Sequence, residues 1–133
     1  MIGIRRLLGI ATLGLLVSCG GGDGGPPAGP VAGDLTVSYF QGSVEAGALL
    51  ITISGGPVTS VTALGGQQLS SASPFANTTK VFVAGTLATG DLFKIRVPDI
   101  SAFASYTARI DQVADKVTFA LLDPVSYNLT VHK

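Results

Sequence analysis

The sequence predicts an all-β fold, an antiparallel β-sandwich of about eight strands that follows a signal peptide and a flexible linker. The chain of 133 residues has 18 glycines and only 12% charged residues, so it is rich in turn formers and has apolar side chains to build a core. From residue 34 onward, apolar and polar residues alternate in short runs, which is typical of half-buried strands. Glycines and prolines separate these runs by about ten residues, a spacing typical of sandwiches.

The first 18 residues have the pattern of an export signal. Arg5 and Arg6 provide a positively charged start, and the apolar segment 7–17 follows them. This segment is too short to cross a bilayer as a helix, which takes about 20 residues. It fits the hydrophobic core of a secretory signal instead.

The sequence Leu16-Val17-Ser18-Cys19 resembles the lipobox of bacterial lipoproteins. The resemblance implies cleavage after Ser18 and acylation of Cys19, which would then carry a diacylglyceryl thioether and an N-linked fatty acyl chain such as palmitate. Cys19 is the only cysteine, so the chain has no internal disulfide. Gly20 stands where an aspartate commonly marks retention in the inner membrane. The resemblance therefore implies a protein of the bacterial cell envelope, anchored by lipid in the outer membrane, with its domain facing the periplasm or the cell surface.

Residues 19–33 are interpreted as the acylated cysteine and a linker. Seven of the 14 residues from Gly20 to Gly33 are glycine and three are proline, and such a chain behaves as a coil with a span of about 20 Å. A phosphate-binding loop would need a preceding strand and a following helix, and neither pattern is present here. We interpret the segment as a spacer.

Residues 34–133 are predicted to form the sandwich domain. The alternating runs that we assign to strands are 35–40, 49–53, 61–63, 81–83, 93–97, 106–110, 117–121 and 127–131. Asp99 is expected to cap one short helical turn through Ile100 to Ala104. No other segment has a helical period.

A second resemblance covers about residues 47–98. The order of ALLITISGGPVTSVTALGG, KVFVAG and TGDLFKIRVPD is similar to that in cohesin-like modules. It implies a jelly-roll or immunoglobulin-like sandwich, but it does not imply dockerin binding. The pattern also looks like that of uncharacterised lipoproteins from environmental bacteria.

The charge distribution argues against nucleic-acid binding. From Cys19 onward the chain has six basic and eight acidic residues, a net charge of −2, and the basic residues are scattered. Nucleic-acid binding requires a concentrated cationic surface.

The sequence contains few residues suited to catalysis or metal binding. Its only histidine is His132, which is expected on the outward face of the last strand. Zinc and copper sites need several His or Cys ligands, so we expect no metal and no cofactor. The acidic residues lie in separate predicted turns, although Asp111 and Asp115 flank one hairpin-like junction where they could meet. An Asp-dependent hydrolase remains an alternative, but we expect no enzyme.

The aromatic residues give the candidate binding surface. In the alternating pattern of the strands, three tyrosines fall at positions that face the core: Tyr39, Tyr106 and Tyr127. We therefore expect all three to be buried. Three phenylalanines are the candidates for a surface that faces a partner: Phe40, Phe82 and Phe103. The sequence therefore predicts a lipoprotein that presents a non-enzymatic sandwich for protein binding or for a structural role in the envelope. The alternative is a carbohydrate-binding module that uses Phe40 and Phe82.

Overall fold

The computed structural model describes residues 29–133. Residues 1–28, which include the predicted signal peptide, Cys19 and most of the linker, lie outside the described part. The nine described strands are β1 (Gly33–Phe40), β2 (Ala46–Ser54), β3 (Ser60–Ala63), β4 (Gln68–Phe75), β5 (Thr78–Ala84), β6 (Gly90–Val97), β7 (Thr107–Asp115), β8 (Leu121–Leu122) and β9 (Asn128–His132). Two 3-10 helices cover Ile100–Ser105 and Pro124–Ser126. Neither of them, nor any other segment of residues 29–133, forms a helix that could span a membrane.

The strands form two antiparallel sheets, which confirms the predicted all-β sandwich. One sheet has the order β3-β6-β1-β9, and the other has the order β4-β5-β2-β7-β8. β1 lies between β6 and β9, and β2 lies between β5 and β7. The first two strands of the chain, β1 and β2, therefore each have a partner strand on both sides.

The core lies between the sheets and is built from the inward side chains of the alternating runs. Leu35, Val37 and Tyr39 of β1 are fully buried, as are the residues at alternate positions in β2, β5 and β6. A register shift between Val37 and Ser38 lets Leu92 be buried as well as its neighbour Phe93. An inserted residue of this kind is a β-bulge, which local alternation does not reveal.

The predicted tyrosine positions are confirmed. All three tyrosines are buried, and the rings of Tyr39 and Tyr127 stack with their centroids 6.4 Å apart. The hydroxyl of Tyr106 donates to the carbonyl of Pro57 at 2.7 Å, and that of Tyr127 donates to the carbonyl of Val44. The hydroxyl of Tyr39 donates instead to the side-chain oxygen of Gln41 at 3.3 Å, so each buried ring has a polar tip that reaches an acceptor at the margin of the core.

Two strand predictions differ from the structure. β4 was not predicted, because its sequence QLSSASPF is small and polar and only Leu69 packs against the core. The predicted strand 117–121 is wrong. Residues 116–120 form a turn, and only Leu121 and Leu122 pair with β7.

The prediction that Asp111 and Asp115 flank one junction is also wrong. β7 continues through both residues to Asp115, so Asp111 lies within the strand and only Asp115 adjoins the turn. A bulge between Leu50 and Ile51 in the β2–β7 ladder interrupts the expected register at Asp111.

The sandwich has two different ends. We call the end where the chain enters at Gly33 the basal end and the opposite end the apical end. The basal end contains the Ile100–Ser105 helix, whose cap is confirmed as Asp99: its carboxylate accepts from the Ser101 N–H at 3.1 Å. Ile100 of this helix packs over Gly33 and donates its N–H to the Val31 carbonyl at 2.8 Å.

Candidate partner-binding surface

The three phenylalanines predicted to face a partner do not form one surface. Phe40 lies on the outer face of the four-stranded sheet and is 47% exposed, while Phe82 lies on the outer face of the five-stranded sheet and is 46% exposed. Phe103 belongs to the basal 3-10 helix, where it is partly buried against the core and the ammonium of Lys133 lies 4.2 Å from its ring centroid. The expectation that Phe103 is exposed is therefore corrected, and the remaining two lie on opposite faces.

A different set of exposed apolar side chains lies on the loops and the short strand β8 toward the apical end, spread over more than one side of the sandwich. Val44 and Val117 line one depression, Leu121 lines another beside Phe82, and Val125 lines a third beside Ile110. We call this set the apical cluster; its members are exposed by between 41% and 83% of their surface: Val44, Val117, Phe119, Leu121 and Val125. At the basal end, the large apolar side chains of the described residues that are exposed to this degree are Val31 and Phe75. The exposed apolar surface is thus concentrated at one end of the sandwich.

Hydrogen bonds between neighbouring loops hold the apical end together. The N–H of Lys116 donates to the Glu45 carbonyl at 3.1 Å, which joins the β7–β8 turn to the β1–β2 loop. The Tyr127 hydroxyl joins the β8–β9 connection to the same loop at Val44. The apical cluster is therefore carried on mutually bonded loops, which limits the entropy lost if it binds a partner.

Asp115 shapes the turn that presents Val117 and Phe119. Its carboxylate accepts from the N–H groups of Val117 at 2.7 Å and Thr118 at 3.0 Å. These two backbone hydrogen bonds lower the pKa of Asp115 below its usual value, and the bond from Thr118 has the larger effect. The carboxylate replaces a backbone acceptor and so fixes the first half of the turn.

Phe119 occupies an unusual backbone conformation in the same turn. Its φ is +61°, in the left-handed region that bulky residues rarely adopt, and it is the only non-glycine residue of the described part with a positive φ. Its side chain is 74% exposed, so no burial of the ring compensates for the backbone cost. Sequence reasoning missed this position because it read Val117–Leu121 as a strand.

Charged side chains surround the apical cluster. Val44 and Val117 flank a shallow depression of about 410 Å³ whose wall includes Glu45 and Lys116. The Lys116 ammonium lies 3.3 Å from the Glu45 carboxylate. With Asp115 and Asp123 nearby in the same loops, the border of the surface has more acidic than basic groups.

The outer face of the four-stranded sheet brings together Ser38, His132 and Asp91. The Ser38 hydroxyl donates to the Asp91 carboxylate at 2.7 Å and lies 2.9 Å from Nε2 of His132. Nδ1 of His132 lies 3.1 Å from the carbonyl of Lys133. In a nucleophilic triad the histidine lies between the serine and the carboxylate, whereas here the serine hydroxyl donates its hydrogen bond directly to Asp91, and Nε2 of His132 lies 3.8 Å from the same carboxylate. The cluster cross-links β1, β6 and β9, and it confirms that His132 faces outward.

A second polar cluster lies on the outer face of the five-stranded sheet. Asp111 accepts from the ammonium of Lys80 at 2.9 Å, from Nε of Arg109 at 3.0 Å, and from the hydroxyl of Thr52. Burial would raise the pKa of Asp111, but these three hydrogen bonds and the charge of Lys80 outweigh it, so the pKa is lowered. The carboxylate is fully engaged in joining β2, β5 and β7. Within residues 29–133, no group of three or more His, Cys, Asp or Glu side chains could hold a metal ion.

The sequence alone could not have assembled either cluster, because both depend on strand order. Ser38 and His132 are 94 residues apart, and their contact requires that β9 pairs with β1. The cohesin-like resemblance and the lipobox at Cys19 stay predictions. No protein-family model matches the chain, and comparison with curated proteins and solved structures finds no similar protein.

Proposed function

We propose that this chain is a lipid-anchored protein of the bacterial cell envelope whose non-enzymatic β-sandwich binds a protein partner through the apical cluster. The observation that supports binding is the concentration of exposed apolar side chains at the end opposite Gly33. Exposed apolar side chains that are concentrated in one region of a domain are a feature of interaction sites.

The end of the sandwich at which the linker enters the domain agrees with this proposal. The linker 19–33 joins the basal end, so a domain that stands on a lipid anchor at Cys19 can turn its apical end away from the membrane. Two or three acyl chains on one residue would make the attachment stable, because each buried methylene contributes about 0.8 kcal/mol. Attachment and binding thus use opposite ends of the molecule.

The charges at the apical end favour a protein over a lipid surface. Glu45, Asp115 and Asp123 accompany the cluster, whereas Lys116 is its basic neighbour and is paired with Glu45. Anionic lipids attract basic residues and would repel this border. An apolar centre with a charged rim is the usual composition of a protein interface, and the partner's rim is expected to be basic.

The two alternatives receive less support. Carbohydrate binding through Phe40 and Phe82 would need both rings on one platform, but they lie on opposite faces of the sandwich. An Asp-dependent hydrolase would need a carboxylate free to act on a substrate, whereas Asp111 is bonded to three side chains.

The anchor is tested by intact-mass analysis of the chain extracted from bacterial membranes. We expect the mass of residues 19–133 plus a diacylglyceryl group and an N-linked acyl chain, and we expect the Cys19→Ser variant to keep its signal. An unmodified Cys19 in the wild-type chain would overturn the lipoprotein assignment.

Binding is tested by photo-crosslinking in the intact envelope, with a benzophenone amino acid at Thr118. We expect a crosslinked protein that is lost in the Val117→Ser, Phe119→Ser double variant. Phe75→Ser is the matched control, because Phe75 is 72% exposed at the basal end and Phe119 is 74% exposed at the apical end. Equal loss in the control, or no crosslink in the wild type, would contradict binding by the apical cluster.

A further inference from the structure

The charged residues of the sandwich are divided unequally between its two ends. We take the basal half as the ladder rows from Gly33 to Thr36 and from Ser54 to Ile51, with the loops beside them. Five of the six basic residues in the described part belong to this half: Lys80, Lys94, Arg96, Arg109 and Lys133. Three acidic residues accompany them: Asp34, Asp99 and Asp111. The apical half has Lys116 and four acidic residues: Glu45, Asp91, Asp115 and Asp123. The net charge is therefore +2 in the half where the linker enters and −3 in the opposite half.

Several of these basic residues lie close to the basal end itself. Arg96 is one residue from the end of β6, while Lys80 and Arg109 are two residues from the starts of β5 and β7. At about 3.3 Å per residue, all three are within about 7 Å of the strand ends, which is less than the Debye length of about 8 Å at physiological salt. The ammonium of Lys133 lies beside the basal helix, 4.2 Å from the ring centroid of Phe103. An anionic surface is therefore attracted to the basal end and repelled by the apical end.

The tip of the β4–β5 hairpin adds an exposed aromatic ring to the same end. Phe75 is 72% exposed, and its neighbours Pro74, Ala76 and Asn77 are uncharged and exposed. Aromatic side chains in such a setting fit the level of the lipid headgroups, where the ring meets the acyl chains and its surroundings stay wet. Within the described loops of the basal end, the one charged residue is Asp99, whose carboxylate caps the 3-10 helix. A single carboxylate therefore opposes the approach of these loops to an anionic surface.

The point at which the linker meets the domain limits how far the basal end can move from an anchor at Cys19. The carbonyl of Val31 accepts from the N–H of Ile100 at 2.8 Å, so residues 20–30 are left as the tether. A coil of that length would span about 18 Å. The strand β2, with nine residues, is about 30 Å long, so the apical end stands further from the anchor than the tether reaches. A tether this short gives an effective concentration of about a millimolar, at which even a weak contact with the membrane is populated.

We propose that the basal end docks on the surface of the membrane that holds the acyl chains, with Phe75 at the level of the headgroups and the basic residues of the basal half next to anionic lipids. This inference rests on the proposed lipid anchor at Cys19. The aromatic ring and the positive charge are two weak signals that act together with the tether. The contact orients the domain so that the apical cluster points away from the membrane. Its loss leaves the anchor in place, so Phe75→Ser is expected to keep the crosslink at Thr118.

Fluorescence quenching by brominated lipids tests the contact, because the chain has no tryptophan. Phe75→Trp and the matched variant Phe119→Trp each add one indole, at positions that are 72% and 74% exposed at opposite ends of the sandwich. Each acylated chain is placed in vesicles of phosphatidylcholine and phosphatidylglycerol whose acyl chains carry bromine. We expect the bromine to quench Phe75→Trp about twofold or more and to leave Phe119→Trp unchanged. Quenching of neither variant, of both equally, or of Phe119→Trp alone would overturn the proposal.

The contribution of charge is tested with a second matched pair in the Phe75→Trp chain. Lys133→Glu reverses a charge at the basal end, and Lys116→Glu reverses one at the apical end. We expect Lys133→Glu to remove about half of the quenching or more, and Lys116→Glu to leave it unchanged. Raising the salt from about 0.1 M to about 1 M shortens the Debye length from about 10 Å to about 3 Å and should also reduce the quenching. Equal effects of the two variants, or no effect of salt, would contradict attraction of the basal end to anionic lipids.

Intact-mass analysis of the same samples separates the docking from the anchor. An unmodified Cys19 would refute the lipoprotein assignment and the docking with it. An acylated chain whose Phe75→Trp variant is not quenched would refute the docking alone and leave the anchor standing.

Discussion

The basal and apical ends of the sandwich close the same core in different ways. At the basal end, a capped 3-10 helix places Ile100 over Gly33, and the Tyr106 hydroxyl holds the Pro57 loop. At the apical end, the loops bond to one another while Val117, Phe119 and Val125 face away from the core. The comparison shows that one end is closed by an apolar side chain packed on the core, whereas the other is closed by loops whose apolar side chains are exposed.

The largest effect should come from Gly55, which is part of the basal closure. Gly55 has a φ of +105°, and a Cβ atom there would lie 1.8 Å from the Ser105 carbonyl oxygen. We expect Gly55→Ala to lower the free energy of unfolding by about 3 kcal/mol, measured by denaturant titration. Gly66→Ala at the apical end is the control, because nothing lies within 4 Å of its Cβ. A similar loss in both variants would remove the distinction between the ends.

A smaller effect is expected from truncating one apolar side chain at each end. Ile100→Ala should cost about 1–2 kcal/mol, because Ile100 is partly buried against the core. Leu121→Ala should change stability by less than about 0.5 kcal/mol, because Leu121 is 69% exposed. Thermal unfolding of the two variants under the same conditions makes the comparison, and a reversed order would contradict it.

Two aspartates with lowered pKa values extend the comparison to acid stability. A carboxylate whose pKa is lowered in the folded state stabilises the fold above its unfolded pKa, and this contribution is lost as the pH falls through the folded pKa. Asp111 joins three strands, whereas Asp115 only shapes the apical turn. We therefore expect Asp111→Asn to lower the free energy of unfolding at neutral pH more than Asp115→Asn does. We also expect the free energy of unfolding of Asp111→Asn to fall less steeply on acidification than that of Asp115→Asn. Unfolding curves between about pH 2 and 7 measure both effects; equal slopes would show that the apical turn matters as much as the sheet.

The smallest effect on stability is expected at Phe119. Phe119→Gly relieves the positive φ and exposes no core, so the free energy of unfolding should stay unchanged or rise by up to about 1 kcal/mol. The same variant should lose the apical crosslink. A clear loss of stability would mean that Phe119 supports the fold and would weaken the binding proposal.

The fold could be predicted from the sequence where one face of a strand is buried. The runs around Val37, Ile51 and Ile95 alternate because one face meets the core, and each is a strand in the structure. β4 could not be predicted, because an edge strand with few core contacts needs no alternation. The run from Val117 to Leu121 alternates without being a strand, since the Asp115 carboxylate favours a turn there.

The candidate site was less predictable than the fold. The alternation of apolar and polar residues correctly predicted that Phe40 and Phe82 lie outside the core. It could not show that the two residues belong to different sheets. The apical cluster depends on which loops meet, and this follows from strand order rather than from local sequence. An Asp two residues before an apolar turn residue, as at Asp115 and Val117, is a local signal that could have indicated the turn.

The pairing of β1 with β9 has a consequence for the time at which the domain can fold. Thr36 lies opposite His132 in the ladder, so the first strand gains its second neighbour only after the chain has been synthesised through β9. Contacts this distant in sequence form late and slowly. Until then, β1 has an open edge and its sheet is incomplete, so the domain can close its core only after its last strand has been made.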